Sequence, residues 1–114
     1  MPKLPAADRA IIDASKVRDY LLSASHPIGR FKAAFFRRLG YSESDWPRLQ
    51  ADLKSLAQTN DAIPGQSSAH GLKFEVRGAL LGPAGKKAHV VSVWIVAKGE
   101  DAPRLITVYP GGIR

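Results

Sequence analysis

The stretch that divides this chain into two differently patterned halves is Thr59-Asn-Asp-Ala-Ile-Pro-Gly-Gln-Ser-Ser-Ala-His-Gly71. Most of its residues favour turns or interrupt regular structure, so it predicts a long surface loop over residues 59–71. The pattern before this stretch is helical, over about residues 10–58, and the pattern after it is that of strands, over residues 72–110. Since 114 residues suit one compact core, we expect residues 1–114 to form a single domain.

The first half of the chain predicts three helices. The first covers about residues 14–23, and the second covers residues 27–39 and stops before Gly40, a residue type that is common just past a helix end. The third follows a cap at Ser42 or Ser44. Its apolar residues recur at helical spacing, which we interpret as core packing: Trp46, Leu49, Leu53 and Leu56.

The second half of the chain predicts strands. Apolar and polar residues alternate over residues 72–80, and β-branched residues dominate residues 88–97 and 104–109. Turn residues separate the three runs. The expected fold class is therefore α+β, with about three N-terminal helices followed by a three- to four-stranded antiparallel β-sheet whose one face packs on the helices.

The other face of this sheet is predicted to be unusual. Depending on the strand register, it combines polar side chains with two large aromatic ones: Lys73, Glu75, Arg77, Ser92, Trp94, Thr107 and Tyr109. Such a mixture is too polar for a buried core and more aromatic than a solvent-exposed surface that binds nothing.

The charge of the chain narrows the class of partner. Seventeen Lys and Arg residues against ten Asp and Glu residues give a net charge of +7. This balance favours a polyanionic or acidic partner, although a merely soluble basic surface would have the same charge. There is no cysteine, no secretory signal and no apolar run of the roughly 20 residues that a membrane helix needs, so we expect a cytoplasmic protein without a membrane partner.

The second predicted helix holds the least ordinary residue pattern. Residues 26–40 contain four basic side chains, one histidine and no acidic residue, and Lys32 falls inside the apolar arc of the helix. Burying an unpaired ammonium group is costly. Lys32 is therefore either a positioned cation beside a pocket or a lysine whose stem reaches to water.

The candidate chemistry is cleavage of RNA without a metal or another cofactor, because no metal-ligand spacing and no nucleophile motif is present. In that reaction a base removes the 2′-hydroxyl proton, an acid protonates the leaving oxygen, and cations stabilise the charge on phosphorus. His26 is a candidate base or acid, and equally a simple helix cap. The other candidates are cations for the phosphate, hydroxyls that orient it and an aromatic ring that stacks on a base: Lys32, Arg30, Arg77, Thr107, Tyr109 and Trp94.

Two parts of the sequence resemble known families. The runs over residues 18–23 and 26–36, followed by Leu39-Gly40-Tyr41 and Trp46, look like a family of small bacterial domains of unassigned function. Such domains occur alone or fused to toxin-like and phage-associated proteins. The ending Arg104-Leu-Ile-Thr-Val-Tyr-Pro110 is similar to the last strand of toxin ribonucleases in the barnase, EndoU, nuclease-colicin and RelE-like group.

This resemblance implies a metal-independent ribonuclease toxin with RNA as its substrate. It also implies an acidic antitoxin or immunity protein as a partner. His26, Arg30, Lys32, Thr107 and Tyr109 match the motif positions, while the acid stays unassigned unless Lys32 or Tyr109 supplies it. The alternatives are a non-catalytic basic binding module that docks an acidic protein or nucleic acid, and an enzyme acting on a phosphorylated small molecule.

Overall fold

The helices occupy the first half of the chain, as predicted. The computed structural model describes residues 3–23, 25 and 29–111, and for residues 29–31 it describes only the backbone. Helix α1 covers Ala14–Lys16 and continues as a π-helix over Val17–Leu21. Helix α2 covers Gly29–Arg38, and helix α3 covers Trp46–Thr59. Two short 3₁₀ turns, Ala7–Arg9 and Glu43–Asp45, precede α1 and α3.

Helix α2 ends at Arg38, one residue before the predicted end, and Gly40 completes its C-terminus as predicted. Gly40 has a φ of 102°, a value that disfavours any residue with a Cβ atom. Its N–H donates to the carbonyl of Arg37, and the N–H of Tyr41 donates to the carbonyl of Phe36. These two bonds form a Schellman motif and satisfy the last carbonyls of the helix. The predicted serine cap of α3 is wrong, because Ser42 makes no capping bond and Asp45 is the residue before the helix.

Four antiparallel strands follow in the order β1-β2-β3-β4. They cover Ala62–Ser68, Gly71–Leu81, Lys87–Ala97 and Arg104–Pro110. The α+β prediction of three helices followed by an antiparallel sheet is confirmed. None of the helices within the described residues is long and apolar enough to cross a membrane.

The predicted loop over residues 59–71 is wrong for its central part, which forms β1. This strand pairs with β2 through the register Ala62↔Val76 to Ser68↔Gly71, with an irregularity between Pro64 and Ser67. All of its side chains except that of Ala62 are exposed, so the sequence carries no apolar alternation there. Backbone pairing with β2, and not burial of side chains, defines this strand.

The strand register decides which residues share a face of the sheet. Directly paired residues lie on the same face, and Ser92 pairs with Val76 while Trp94 pairs with Phe74. Ser92 and Trp94 therefore lie on the face that packs against the helices, and our placement of both on the opposite face was wrong. The buried core joins this face to the helices, with these members among others: Val17, Leu21, Phe36, Leu49, Leu53, Val76, Val90, Trp94 and Val108.

Candidate functional site

The side chain of Lys32 links helix α2 to the last strand of the sheet. Its Nζ atom donates to Oγ1 of Thr107 at 2.5 Å and to the hydroxyl of Tyr20 at 3.1 Å. Lys32 and Thr107 are 75 residues apart in the sequence, and the structure brings these two predicted site residues into direct contact. We call the three side chains the Tyr20–Lys32–Thr107 cluster.

Tyr20 is the member of this cluster that sequence reasoning missed. Its ring lies under two ammonium groups, with the Nζ atoms of Lys16 and Lys32 each 5.2 Å from the ring centroid. Although partial burial opposes ionisation, hydrogen bonds from Lys32 and Thr107 and the charge of Lys32 lower the pKa of Tyr20. A tyrosine hydroxyl held by a cation is a candidate proton carrier.

Two local irregularities help to place this cluster. Tyr20 lies in the π-helical turn Val17–Leu21, which contacts α2. In β4, Thr107 pairs with Val93 while Leu105 pairs with the next residue of β3, so Ile106 is the extra residue of a bulge. Both π-turns and β-bulges redirect side chains, and both are common at functional sites.

Lys32 carries its charge without a carboxylate partner in the part of the chain that the structure describes. The ion pairs found there engage five other cations: Lys3, Arg18, Arg48, Arg77 and Arg104. Lys32 itself is half-buried, and its neighbours are a hydroxyl and a phenol. A half-buried cation surrounded by neutral donors and acceptors can attract an anion. Among the described residues there is no group of three or more His, Cys, Asp or Glu that could hold a metal ion.

Tyr109 and Arg77 lie on the sheet beside this cluster. Tyr109 is two positions beyond Thr107 on β4, roughly 6.6 Å along the strand, and is half-buried. Arg77 and Tyr109 both pair with Val91 of β3, so they share a face about two strand spacings, or roughly 9.6 Å, apart. Arg77 is exposed and contacts Glu75 at 3.4 Å, which offsets part of its charge.

The structure excludes Trp94 as a surface for stacking a base. Its side chain is 0% exposed. Nε1 of Trp94 donates to Oγ of Ser92 at 2.9 Å, and that hydroxyl donates to the carbonyl of Val76 at 2.9 Å. The polar atoms of both buried residues are thus satisfied inside the core, and the predicted role of Trp94 in RNA binding is wrong.

Two predicted site residues are not covered by this geometry. His26 lies outside the described residues. Arg30 belongs to the first turn of α2, and its side chain also lies outside the description. Their roles stay predictions.

Comparison with known proteins places the chain in a family. A profile of the family described as "Domain of unknown function (DUF6883)" matches residues 3–112. The chain belongs to this family. A search of curated proteins gave no match to this DUF6883 domain.

A similar solved structure gives the fold an independent reference. It is a chain of the contact-dependent growth inhibition toxin–immunity protein complex from Klebsiella pneumoniae 342, with a TM-score of 0.70 and 21% sequence identity. The alignment covers 93% of this chain and 97% of the chain in that complex. At this level of identity, the likeness shows a shared fold.

Proposed function

We propose that this DUF6883 domain is a metal-independent endoribonuclease toxin that a small partner protein neutralises. The observation that supports this proposal is the position of Lys32, a half-buried cation that lacks a carboxylate partner in the described structure and contacts Thr107 and Tyr20. Such a group suits an anion that arrives with the substrate. Donors held in place at a partly desolvated site are effective at stabilising charge that develops in a transition state.

In the proposed reaction, the ribose 2′-oxygen attacks the adjacent phosphorus atom and the bond from phosphorus to the 5′-oxygen breaks. The products are a 2′,3′-cyclic phosphate and a free 5′-hydroxyl, and no water or metal is consumed. Lys32 and the hydroxyl of Thr107 donate hydrogen bonds to the non-bridging oxygens, where negative charge accumulates. Arg30 and Arg77 contact neighbouring phosphates.

Two proton carriers are needed, one to accept the 2′-hydroxyl proton and one to protonate the leaving 5′-oxygen. His26 fills one of these roles in the proposal. For the role that sequence reasoning left open, Tyr20 is a stronger candidate than Tyr109, because Tyr20 contacts Lys32 directly and its pKa is lowered from the ordinary tyrosine value. Tyr109 then orients the phosphate from its place on β4, two positions beyond Thr107.

The neutralised-toxin part of the proposal draws on the comparison and on charge. The solved complex with the similar chain contains, by its title, a growth-inhibition toxin and an immunity protein. The net charge of +7 suits a protein that binds a polyanion such as RNA. The same charge favours a neutralising partner that is acidic. RNA as the substrate places the action of the domain in the cytoplasm.

The proposal is tested by expressing the domain without any partner. We expect slowed growth, and we expect the purified protein to cleave RNA in EDTA to products with 2′,3′-cyclic phosphate ends. Thr107→Val, which keeps the shape but removes the hydroxyl, should reduce cleavage, and Thr107→Ser, which keeps the hydroxyl, should retain most of it. His26→Ala should abolish cleavage. Wild-type protein that neither slows growth nor cleaves RNA would contradict the proposal.

A non-catalytic binding module is the second candidate, and one observation favours it. The ammonium group of Lys32 already has two hydrogen-bond acceptors, so the cluster can also serve to fasten α2 to β4. A domain of this kind would bind RNA or an acidic protein without cleaving RNA. Retention of intact RNA by the wild-type protein in EDTA distinguishes it from the toxin.

A further inference from the structure

Four cations lie on two segments that are distant in the sequence and that a backbone contact joins. Arg37 and Arg38 are the last residues of α2, and Lys86 and Lys87 follow the turn between β2 and β3. All four side chains are exposed. We call Arg37, Arg38, Lys86 and Lys87 the helix-end cluster.

A close backbone contact fixes the helix end against this turn. The N–H of Ala84 donates to the carbonyl of Leu39 at 3.1 Å. A Cβ atom added to Gly82 would lie 2.0 Å from the same carbonyl oxygen, and one added to Gly40 would lie 2.5 Å from the nitrogen of Ala84. Glycines at these two positions therefore permit the approach. The turn is closed in addition by the N–H of Gly82, which donates to the carbonyl of Lys86 at 2.9 Å.

The charge of the helix-end cluster is not neutralised within the described residues. None of its four cations takes part in the ion pairs found there. Arg38 lies over the ring of Phe35, with its guanidinium carbon 6.0 Å from the centroid, which holds one of the four groups in place. Exposed cations without carboxylate partners on two joined elements favour the binding of an anion.

We infer that the helix-end cluster binds the phosphate backbone of the RNA substrate away from the cleavage site, an inference that rests on the proposed function. Helix α2 carries both Lys32 of the proposed cleavage site and Arg38 of the helix-end cluster. These two residues are six positions, and thus roughly 9 Å, apart along the helix axis. An RNA held at Lys32 and extending past the end of α2 passes the cluster. Contacts to phosphates carry no sequence information, so they add affinity and set the position of the RNA.

Phosphates fit this cluster better than a protein partner does. The cores of protein interfaces are rich in aromatic anchors and poor in lysine. The turn between β2 and β3 exposes Pro83, Ala84 and Gly85, and Leu81, which pairs with Lys87, is an exposed aliphatic side chain beside it. None of these residues is aromatic. Arginine forks and lysine ammonium groups are sufficient for phosphate oxygens.

The test measures binding of a stem–loop RNA with 2′-O-methyl riboses, which cannot be cleaved because the attacking hydroxyl is blocked. The variants are Arg37→Gln/Arg38→Gln and Lys86→Gln/Lys87→Gln. The matched control is Lys73→Gln/Lys98→Gln, which removes the same charge from exposed lysines towards the opposite end of β2 and β3. Each cluster variant should lower the slope of log K against log salt by about 1.4–1.8, at roughly 0.7–0.9 for each lost phosphate contact, and the control should change it little.

A cleavage assay separates this inference from the proposed function. A dinucleoside monophosphate has one phosphate, which occupies the cleavage site, and no second phosphate for the cluster to bind. The cluster variants should therefore cleave it at the wild-type kcat/KM and lose activity only on the longer RNA. If the cluster and control variants bind the stem–loop equally, the inference is overturned while the nuclease proposal stands. If the cluster variants lose affinity for the neutralising protein but not for RNA, the cluster is a protein-docking surface and the inference is overturned. If the wild-type protein binds no RNA, both fall.

Discussion

Replacing Lys32 by methionine should abolish most RNA cleavage while leaving the domain folded. Methionine keeps much of the length and the apolar stem of lysine, but it lacks the ammonium group that contacts Thr107 and Tyr20. The substitution therefore removes a charge from a half-buried site without opening a large cavity.

The expected effect of Lys32→Met on stability is small and its expected effect on kcat is large, so the two effects can be separated. Hydrogen bonds to a charged group contribute about 1.5–3 kcal/mol, but removing Lys32 also removes the cost of holding an ammonium group partly out of water, so we expect a net loss in unfolding free energy of about 1 kcal/mol. That corresponds to a fall in Tm of about 4 °C for a domain of this size. Loss of a donor to the charged transition state should reduce kcat by about 100- to 1,000-fold.

Both quantities are measured on the same preparations, with urea denaturation for stability and single-turnover cleavage in EDTA for chemistry. Lys98→Met serves as the control, because Lys98 is an exposed lysine in the turn between β3 and β4. The control should match the wild type in both assays.

The opposite pattern of results would refute the reasoning. If Lys32→Met lost several kcal/mol of stability and its folded fraction cleaved RNA at the wild-type rate, Lys32 would be a fastening residue between α2 and β4. The binding-module alternative would then be the better account of the Tyr20–Lys32–Thr107 cluster.

Three further predictions follow from single features. Tyr20→Phe should remove a tyrosinate step below the ordinary tyrosine pKa from an ultraviolet pH titration. Because the pKa of Tyr20 is lowered in the folded state, the stability that its ionisation adds is full above the ordinary tyrosine pKa and is lost as pH falls through the lowered value. Gly82→Ala should cost about 1–3 kcal/mol in urea denaturation, since its Cβ would meet a backbone oxygen at 2.0 Å, whereas Gly65→Ala, with 3.5 Å of space, should cost little. Trp94→Phe should lower stability by about 1–3 kcal/mol through the lost bond to Ser92, with RNA affinity unchanged.

The helices and three of the strands were accessible from sequence because their apolar residues repeat at the period of the element. Sequence analysis named both Lys32 and Thr107 as candidates but did not predict their contact, since helical periodicity identifies a lysine on the apolar face but not the strand that it contacts. Strand β1 was missed for the opposite reason. Its residues from Ile63 to Ser68 are exposed on both faces, so only pairing with β2 identifies it.

Register accounts for the error at Trp94. Alternation along β3 separates Trp94 from Val93, but a single strand does not reveal which of the two faces the helices. The register pairs Trp94 with Phe74, which places Trp94 on the buried face. Tyr20 was not predicted as a site residue for another reason. Its three-residue spacing from Val17 is typical of a buried face on an ordinary α-helix, so the sequence does not reveal the wider π-helical turn over Val17–Leu21.

That wider turn bears on how the cluster could have arisen. A π-turn accommodates one more residue than the α-helix around it, so it corresponds to a one-residue insertion in a regular helix. Each residue of an α-helix advances the side-chain direction by about 100°. Deleting one position between Val17 and Tyr20 would let the segment close as an α-helix and turn the phenol away from Lys32. Relatives with a shorter α1 segment should then lack the tyrosine contact altogether, which makes the length of this segment, and not only the identity of its residues, a marker of the cluster.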